Sequence, residues 1–348
     1  MRRFGITLSH ATDQAQKDQQ PELSEPFAAL PTPPGAAPYR WDLNKVIGGD
    51  GPLVFHVIGD HGGVKDPNPQ LVVAKAMVAD CQDHGLSFCY SVGDVDYFTG
   101  EEAEIGPQFY EAYADYPVPI VAIPGNHDGA GADQLATFMA TFCDPTPKLI
   151  PAQAEYQRDT MDQPNCYWTL TDEMVTIIGL YSNVPSGGVI EQDQQEWLEG
   201  ELAAAPKGVP LIVALHHPPY SCDAHHGGSQ KMGTLLDAAF VAAGRWPELV
   251  LAGHVHDYQR FTRTVHREHE CTYVVCGAGG YHNLHKMAPG AVKGLQATPD
   301  TTLEAFDDSQ FGFLRLTVAA SEIAGEYIGV DKEGTVTANV DNFAVPIG

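Results

Sequence analysis

Five short stretches of this chain put metal-binding residue types directly after apolar runs: Gly59-Asp60-His61-Gly62-Gly63, Gly93-Asp94-Val95-Asp96-Tyr97, Pro124-Gly125-Asn126-His127-Asp128, His216-His217-Pro218-Pro219 and Gly253-His254-Val255-His256. Taken singly, each has an ordinary explanation. A Gly-Asp after a strand is usually an Asx turn, Asn126-His127 could be a plain loop, and a lone histidine is as often a core or surface residue as a ligand. His254 and His256, one residue apart, share a face in an extended chain. Five such stretches in order, each at the end of an apolar run, call for one explanation. That explanation is a cation site built from carboxylates, imidazoles, an amide and a phenol.

The apolar runs have the length and composition of buried strands: LVFHVI (53–58), SFCYSV (87–92), PIVAI (119–123), VTIIGL (175–180), LIVAL (211–215), ELVLA (248–252) and TYVVC (272–276). Helical stretches fall between them at 70–82, 134–142, 191–205 and 232–244. Alternation of this kind predicts a layered α/β domain, and in such sheets the carboxyl ends of the strands meet at one crevice, which brings the five stretches together. Near the C-terminus FGFLRLTV and SEIAGEYIGV alternate without a helix between them, as an antiparallel pair completing a second sheet would. Residues 1–50, polar and rich in Gln and Pro at the start, read as an extended N-terminal arm, and 51–348 as the catalytic domain.

The ordered set Asp, Gly-Asp, Gly-Asn-His-Asp, His, Gly-His-x-His resembles the signature of calcineurin-like metallophosphoesterases over roughly residues 51–318. Asp60-x-Gly62 and Asp94-x-x-Tyr97, in the string GDVDYFTG, are most similar to the small purple acid phosphatases. The resemblance implies a four-layer α/β/β/α sandwich of two mixed sheets. It assigns Asp60, Asp94, Tyr97 and His256 to one metal and Asn126, His216 and His254 to the other, with Asp94 bridging. His216 is preferred to His217 because it completes the family's V-x-x-H pattern through Val213. Phenolate and carboxylates suit Fe(III); imidazoles and an amide oxygen suit a divalent Fe, Zn or Mn. In the family, tyrosinate-to-iron charge transfer gives the colour.

Two ions about 4 Å apart would bind phosphoryl oxygens and lower the pKa of a water for in-line attack on a phosphomonoester. The resemblance makes His127 a group that hydrogen-bonds phosphate or protonates the leaving oxygen. It also places a substrate-contacting histidine in CDAHHGGS, where both His225 and His226 qualify. The sequence departs from the small phosphatases at His61, where a tryptophan is common, and at Asp96, where an apolar residue is. Both changes predict more polar surroundings for the first metal. GAGGYHNLHK (277–286) is expected to rim the site, with His282, His285 and Lys286 in reach of substrate.

A net charge of -26 excludes nucleic acid and anionic membrane as default partners and leaves a small phosphorylated substrate, received by local metal charge. Seven cysteines without a C-x-x-C pair argue against a disulfide framework or a zinc knuckle. The N-terminus lacks a signal-peptide apolar core and no run is long enough to span a membrane, so a cytoplasmic protein is expected. Two other readings compete. One is a phosphodiesterase acting on cyclic nucleotides, nucleotide diphosphates or phospholipid headgroups. The other is a non-catalytic metal-binding interaction module, which would be expected to have lost a ligand or His127. The oligomeric state is not legible in the sequence.

Overall fold

The computed structural model describes residues 29–43, 52–131, 133–150, 156–183, 187–265 and 269–347. In chain order the elements are β1 (Arg40–Asp42), β2 (Leu53–Ile58), α1 (Asn68–His84), β3 (Phe88–Ser91), β4 (Ile120–Ala122), α2 (Ala136–Phe142), β5 (Trp168–Thr171), β6 (Thr176–Gly179), α3 (Gln192–Ala204), β7 (Leu211–Ala214), α4 (Gln230–Ala243) and β8 (Leu249–Ala252). There follow β9 (Tyr258–Thr264), β10 (Glu270–Cys276), β11 (Leu295–Thr298), β12 (Thr301–Asp307), β13 (Phe311–Val318), β14 (Glu322–Val330) and β15 (Val336–Pro346).

Two mixed sheets result, one ordered β1-β5-β6-β7-β8-β10-β9-β12-β11 and the other β15-β14-β13-β2-β3-β4. They face each other across an apolar layer to which strands contribute alternate residues: Phe55 and Val57 from β2, Phe88 and Tyr90 from β3, Ile212 and Ala214 from β7. The intervening residues point outward under helices. Ile58 and Cys89 pack with Val73 and Met77 of α1, and Leu211 and Val213 pack with Leu198 of α3 and Leu236 of α4. This is why the central strands read as unbroken apolar runs: both faces are covered, and each large side chain buried there contributes about 1.5–3 kcal/mol. The helices stop where the sequence makes them stop. Gly85 and Gly244 both adopt φ 62°, a left-handed conformation that lets their amides close on the preceding turn. The layers are the expected four, α/β/β/α.

The part of the N-terminal stretch that is described does not stand apart from the domain. β1 pairs in parallel with β5, Arg40 forks onto Glu201 of α3 with both bonds at 2.9 Å, and the indole N–H of Trp197 donates to the carbonyl of Pro38 (2.7 Å). Residues 1–28 and 44–50, also inside the expected arm, lie outside the described residues. FGFLRLTV and SEIAGEYIGV form β13 and β14, and β13 pairs with β2 to extend the six-stranded sheet. All seven cysteines are buried and free. No helix among the described residues is long and apolar enough to cross a membrane.

Candidate metal centre

Five strands end at one rim. β2, β3 and β4 of the six-stranded sheet deliver Asp60, Asp94 with Tyr97, and Asn126; β7 and β8 of the nine-stranded sheet deliver His216 and the His254–His256 pair. The loops are laced together across the sheets. The amide of Asp60 donates to Gly93 O (2.9 Å), that of Gly279 to Gly59 O (3.0 Å), and that of His254 to Asp60 Oδ2 (2.7 Å). Asp60, Asp94 and His254 have φ of 54°, 56° and 68°. Left-handed backbone at non-glycine residues costs about 1–3 kcal/mol each and persists where the surroundings fix it, commonly at functional sites. Close approach also demands glycine. A Cβ on Gly125 would collide with Asp94 Oδ1, and one on Gly253 would lie 2.6 Å from Asp60 Oδ2.

Lone pairs converge inside this rim. His216 gives its Nδ1–H to the carbonyl of Val92 (2.8 Å), which turns Nε2 towards Asn126 Oδ1 at 3.1 Å and Asp94 Oδ2 at 3.3 Å. His254 Nδ1 reaches the same Asn126 oxygen at 2.9 Å. On the other side His256 gives Nδ1–H to the carbonyl of Asn283 (3.0 Å), and its Nε2 faces Asp60 Oδ1 at 3.4 Å, the distance at which the Tyr97 hydroxyl approaches that same atom. The six groups other than Tyr97 are nine-tenths or more buried, and Tyr97 is 1% exposed. Acceptors aimed at acceptors in a dry site are unfavourable unless cations or protons lie between them, so the donor set fits two cations. Among the described residues, Asp94, His216 and His254 offer ligand atoms that all lie within 4.8 Å of one another.

The electrostatics have the same cause. Burial, reinforced by neighbouring Asp94, pushes the Asp60 carboxyl up to about 8. Asp94 is also buried, but His216 and His127 hold it below the usual carboxylate range. Burial opposes protonation of His216, yet Asp94 and Asp60 raise it to about 9. The Tyr97 phenol is driven well above its ordinary value by burial and the two carboxylates, so only a cation would leave it ionised.

His61 and Asp96, the polar residues expected beside the first metal, are both buried and shifted towards their neutral forms. His61 is buried, bonded through Nε2 to Ser91 Oγ (2.8 Å), and lowered by burial to about 3; Asp96, buried near Asp128, is raised to about 8. His217 packs its ring 4.4 Å from that of His254, with Nδ1 3.0 Å from Ser182 Oγ; its buried Nε2 finds no partner among the described residues. His127 is partly exposed, and its Nδ1–H goes to the carbonyl of Phe98 (2.8 Å). His226 is buried against His254, with ring centroids 4.7 Å apart, and its Nδ1 finds no partner among the described residues; His225 is exposed. Of the rim loop, Tyr281 lies over Tyr97 (4.3 Å) and His282 beside it. His285 is buried in a stack on His256 and Lys286 turns outward to Asp308.

Two aspartates hold the loops of the site in a role that the sequence did not show. The carboxylate of Asp128 accepts the amides of Gly125 (2.7 Å), Asp94 (2.9 Å), Val95 (3.0 Å) and Asp96 (3.1 Å), tying two ligand loops together. Asp223 does the same for the loop that carries His225 and His226. An aspartate in a loop looks alike whether it faces water or four amides. Asp128 was visible as the last residue of the Gly-Asn-His-Asp motif, but not as the acceptor that ties the loops together.

Residues 53–258 match the profile of the calcineurin-like phosphoesterases. The chain belongs to this family. Among curated members, tartrate-resistant acid phosphatase type 5 of Rattus norvegicus is 27% identical over 304 residues, covering 79% of this chain and 86% of the relative. Purple acid phosphatase 21 of Arabidopsis thaliana is 31% identical over 166 residues, 46% of this chain and 36% of the relative. A solved structure of GAP50, the anchor in the inner membrane complex of Plasmodium, shares the fold with a TM-score of 0.64 at 17% identity, over 86% of this chain and 90% of that one. As a calcineurin-like phosphoesterase, the protein is a metal-dependent hydrolase of phosphate esters with a binuclear metal centre.

Proposed function

We propose that this phosphoesterase hydrolyses phosphomonoesters of small molecules as a purple-acid-phosphatase-like enzyme. In this reading Asp60, Asp94, Tyr97 and His256 hold Fe(III); Asn126, His216 and His254 hold a divalent Fe, Zn or Mn; and Asp94 bridges. The observation that carries it is Tyr97, whose buried hydroxyl lies 3.4 Å from Asp60 Oδ1, on the side of the centre where His256 also points. A phenolate there is a hard ligand suited to a ferric ion. When bound, the two ions supply Lewis-acid polarisation of the phosphoryl group and ease deprotonation of the attacking water.

The protein's own groups do the rest. His127 has committed Nδ1–H to Phe98 O, so Nε2 is the atom that takes and gives a proton. Protonated, it donates a hydrogen bond to a phosphate oxygen or its proton to the departing alkoxide. Of the two loop histidines, His226 is the better substrate contact, because its unpartnered, buried Nδ1 sits beside His254 while His225 faces solvent. The acidic surface repels polyanions, which favours small monoesters over large anionic partners.

Metal analysis with a visible spectrum tests the assignment. Two metals per chain, a charge-transfer band lost in Tyr97→Phe, and higher kcat/KM for 4-nitrophenyl phosphate than for bis(4-nitrophenyl) phosphate are expected. Two metals without the band would overturn the ferric-tyrosinate reading. A preference for the diester would overturn the monoesterase.

A further inference from the structure

Asp223, on the loop after β7, and His285, on the loop after β10, are buried beside the centre, at 8% and 5% exposure; neither is a proposed ligand, and His285, expected within reach of substrate, is instead stacked on His256. Asp223 Oδ2 accepts the amide N–H of His225 at 3.1 Å and of His226 at 2.7 Å, and lies 3.2 Å from His285 Nδ1. His285 donates its amide N–H to the carbonyl of His256 (2.9 Å), and its ring stacks on that of His256 with centroids 4.3 Å apart and 29° between planes. Two more backbone bonds close the loops on each other: Ala224 N–H to Lys286 O (2.9 Å) and Ala288 N–H to Cys222 O (2.8 Å). The ring of His226 is held within this frame, 4.9 Å from His285 and 4.7 Å from His254.

A carboxylate that takes two successive amides fixes the backbone of the residues that bear them. Its 3.2 Å contact with His285 Nδ1 on another loop, an atom that also lies 3.4 Å from the amide nitrogen of His256, fixes that backbone relative to the centre. We infer that Asp223 and His285 form a positioning pair that clamps His226 at the mouth of the centre, so that they act on phosphate through His226 without touching it. The clamp rests on the reading of His226 as a phosphate contact. Its expected size follows from precedent at metal sites, where residues supporting first-contact groups change activity about 10–100-fold.

The test is a double-mutant cycle in the metal-loaded full chain: Asp223→Ala, His226→Ala and the two together. It is read both in kcat/KM for 4-nitrophenyl phosphate and in the affinity for inorganic phosphate by calorimetry, with metal content and Tm measured for each protein. Asp223→Ala should lower both readouts about 10-fold, and the double variant should lose no more than His226→Ala alone. Asp223→Asn keeps an oxygen for the amides and should recover most of the loss. His285→Phe, which keeps a stacked ring and loses the contacts of Nδ1 with Asp223 and with the His256 amide, gives a second cycle with His226→Ala should Asp223→Ala fail to fold. Losses that multiply in the double variant, or a loss that merely tracks metal content, overturn the clamp. Phosphate binding with the expected coupling but no turnover overturns the phosphatase reading alone; turnover with multiplying losses overturns the clamp alone. Absence of phosphate binding overturns both.

Discussion

Asp128 shows how a residue that touches no substrate can decide whether a site exists. Its carboxylate is the shared acceptor for the amides of Gly125, Asp94, Val95 and Asp96, which belong to the loops after β3 and β4. Burial and the nearby Asp94 push the carboxyl up to about 7, while the amides pull it the other way. Asp128→Ala would leave four buried donors without an acceptor. At about 1–3 kcal/mol each the loss is on the order of 4 kcal/mol or more, a large share of a total stability of about 5–15 kcal/mol. A fall in Tm on the order of 10 °C together with loss of bound metal is expected by calorimetry and metal analysis. A variant with unchanged Tm and full metal content would show that the loops hold themselves. Gly125→Ala asks the same question from the other side: the added methyl meets Asp94 Oδ1, so metal content should drop although no ligand has been removed.

The elements that position the site were legible in the sequence because they are buried on both faces. β2, β3, β4, β7, β8 and β10 read as apolar runs, and the ligand types at the ends of five of them stood out against that background. Strands with a polar or solvent-facing side did not stand out. β15 is mostly exposed and mixes Thr, Asn and Asp with its apolar residues, and β9 carries Arg260 and Arg263, which pair with Asp341 and Asp237. β1 hides in a segment whose flanking prolines suggest an arm, because its three residues gain their meaning only from pairing with β5. A polar cluster between elements was equally silent: His56 of β2 bonds Asp80 of α1 (2.8 Å) and the Tyr116 hydroxyl (2.9 Å), while Asp80 also meets Arg315 of β13, with His84 at 3.6 Å. Burial holds the His56 imidazole below its ordinary value despite Asp80. The Asp80 carboxyl would be raised by burial but is held low by His56 and Arg315. Both folded pKa values are therefore depressed. His56 stabilises the fold fully above the unfolded histidine value of about 6.5, and that contribution is lost as pH falls towards its lower folded value; Asp80 behaves likewise from about 3.9 downwards. His56→Gln, which keeps the bonding and removes the titration, should lose less Tm than the wild type between pH 7 and pH 5. An identical slope would show that the other buried histidines carry the whole dependence.

At the scale of the whole molecule, the proposed ligands divide between the sheets: Asp60, Asp94, Tyr97 and Asn126 come from the six-stranded sheet and His216, His254 and His256 from the nine-stranded one. The apolar layer between the sheets is non-directional, and it would tolerate small shifts of one against the other. Two cations bridged by Asp94 would not, because each draws ligands from both sides at fixed distances. The ions would therefore staple the sandwich at one rim, and the ligand arrangement exists only in the folded chain. Binding to the folded state alone adds about 2.7 kcal/mol for one site when free metal stands at a hundred times its dissociation constant. Chelation should thus lower Tm by several degrees, and metal re-addition should restore it. In Asp94→Asn, where the bridge has lost its charge and the two cations would repel each other, Tm should already sit near the stripped value and respond little to metal. If chelation removed the metals and Tm did not move, the two sheets would owe their alignment to the apolar layer and the loop hydrogen bonds alone, and the centre would be a passenger on a scaffold already complete.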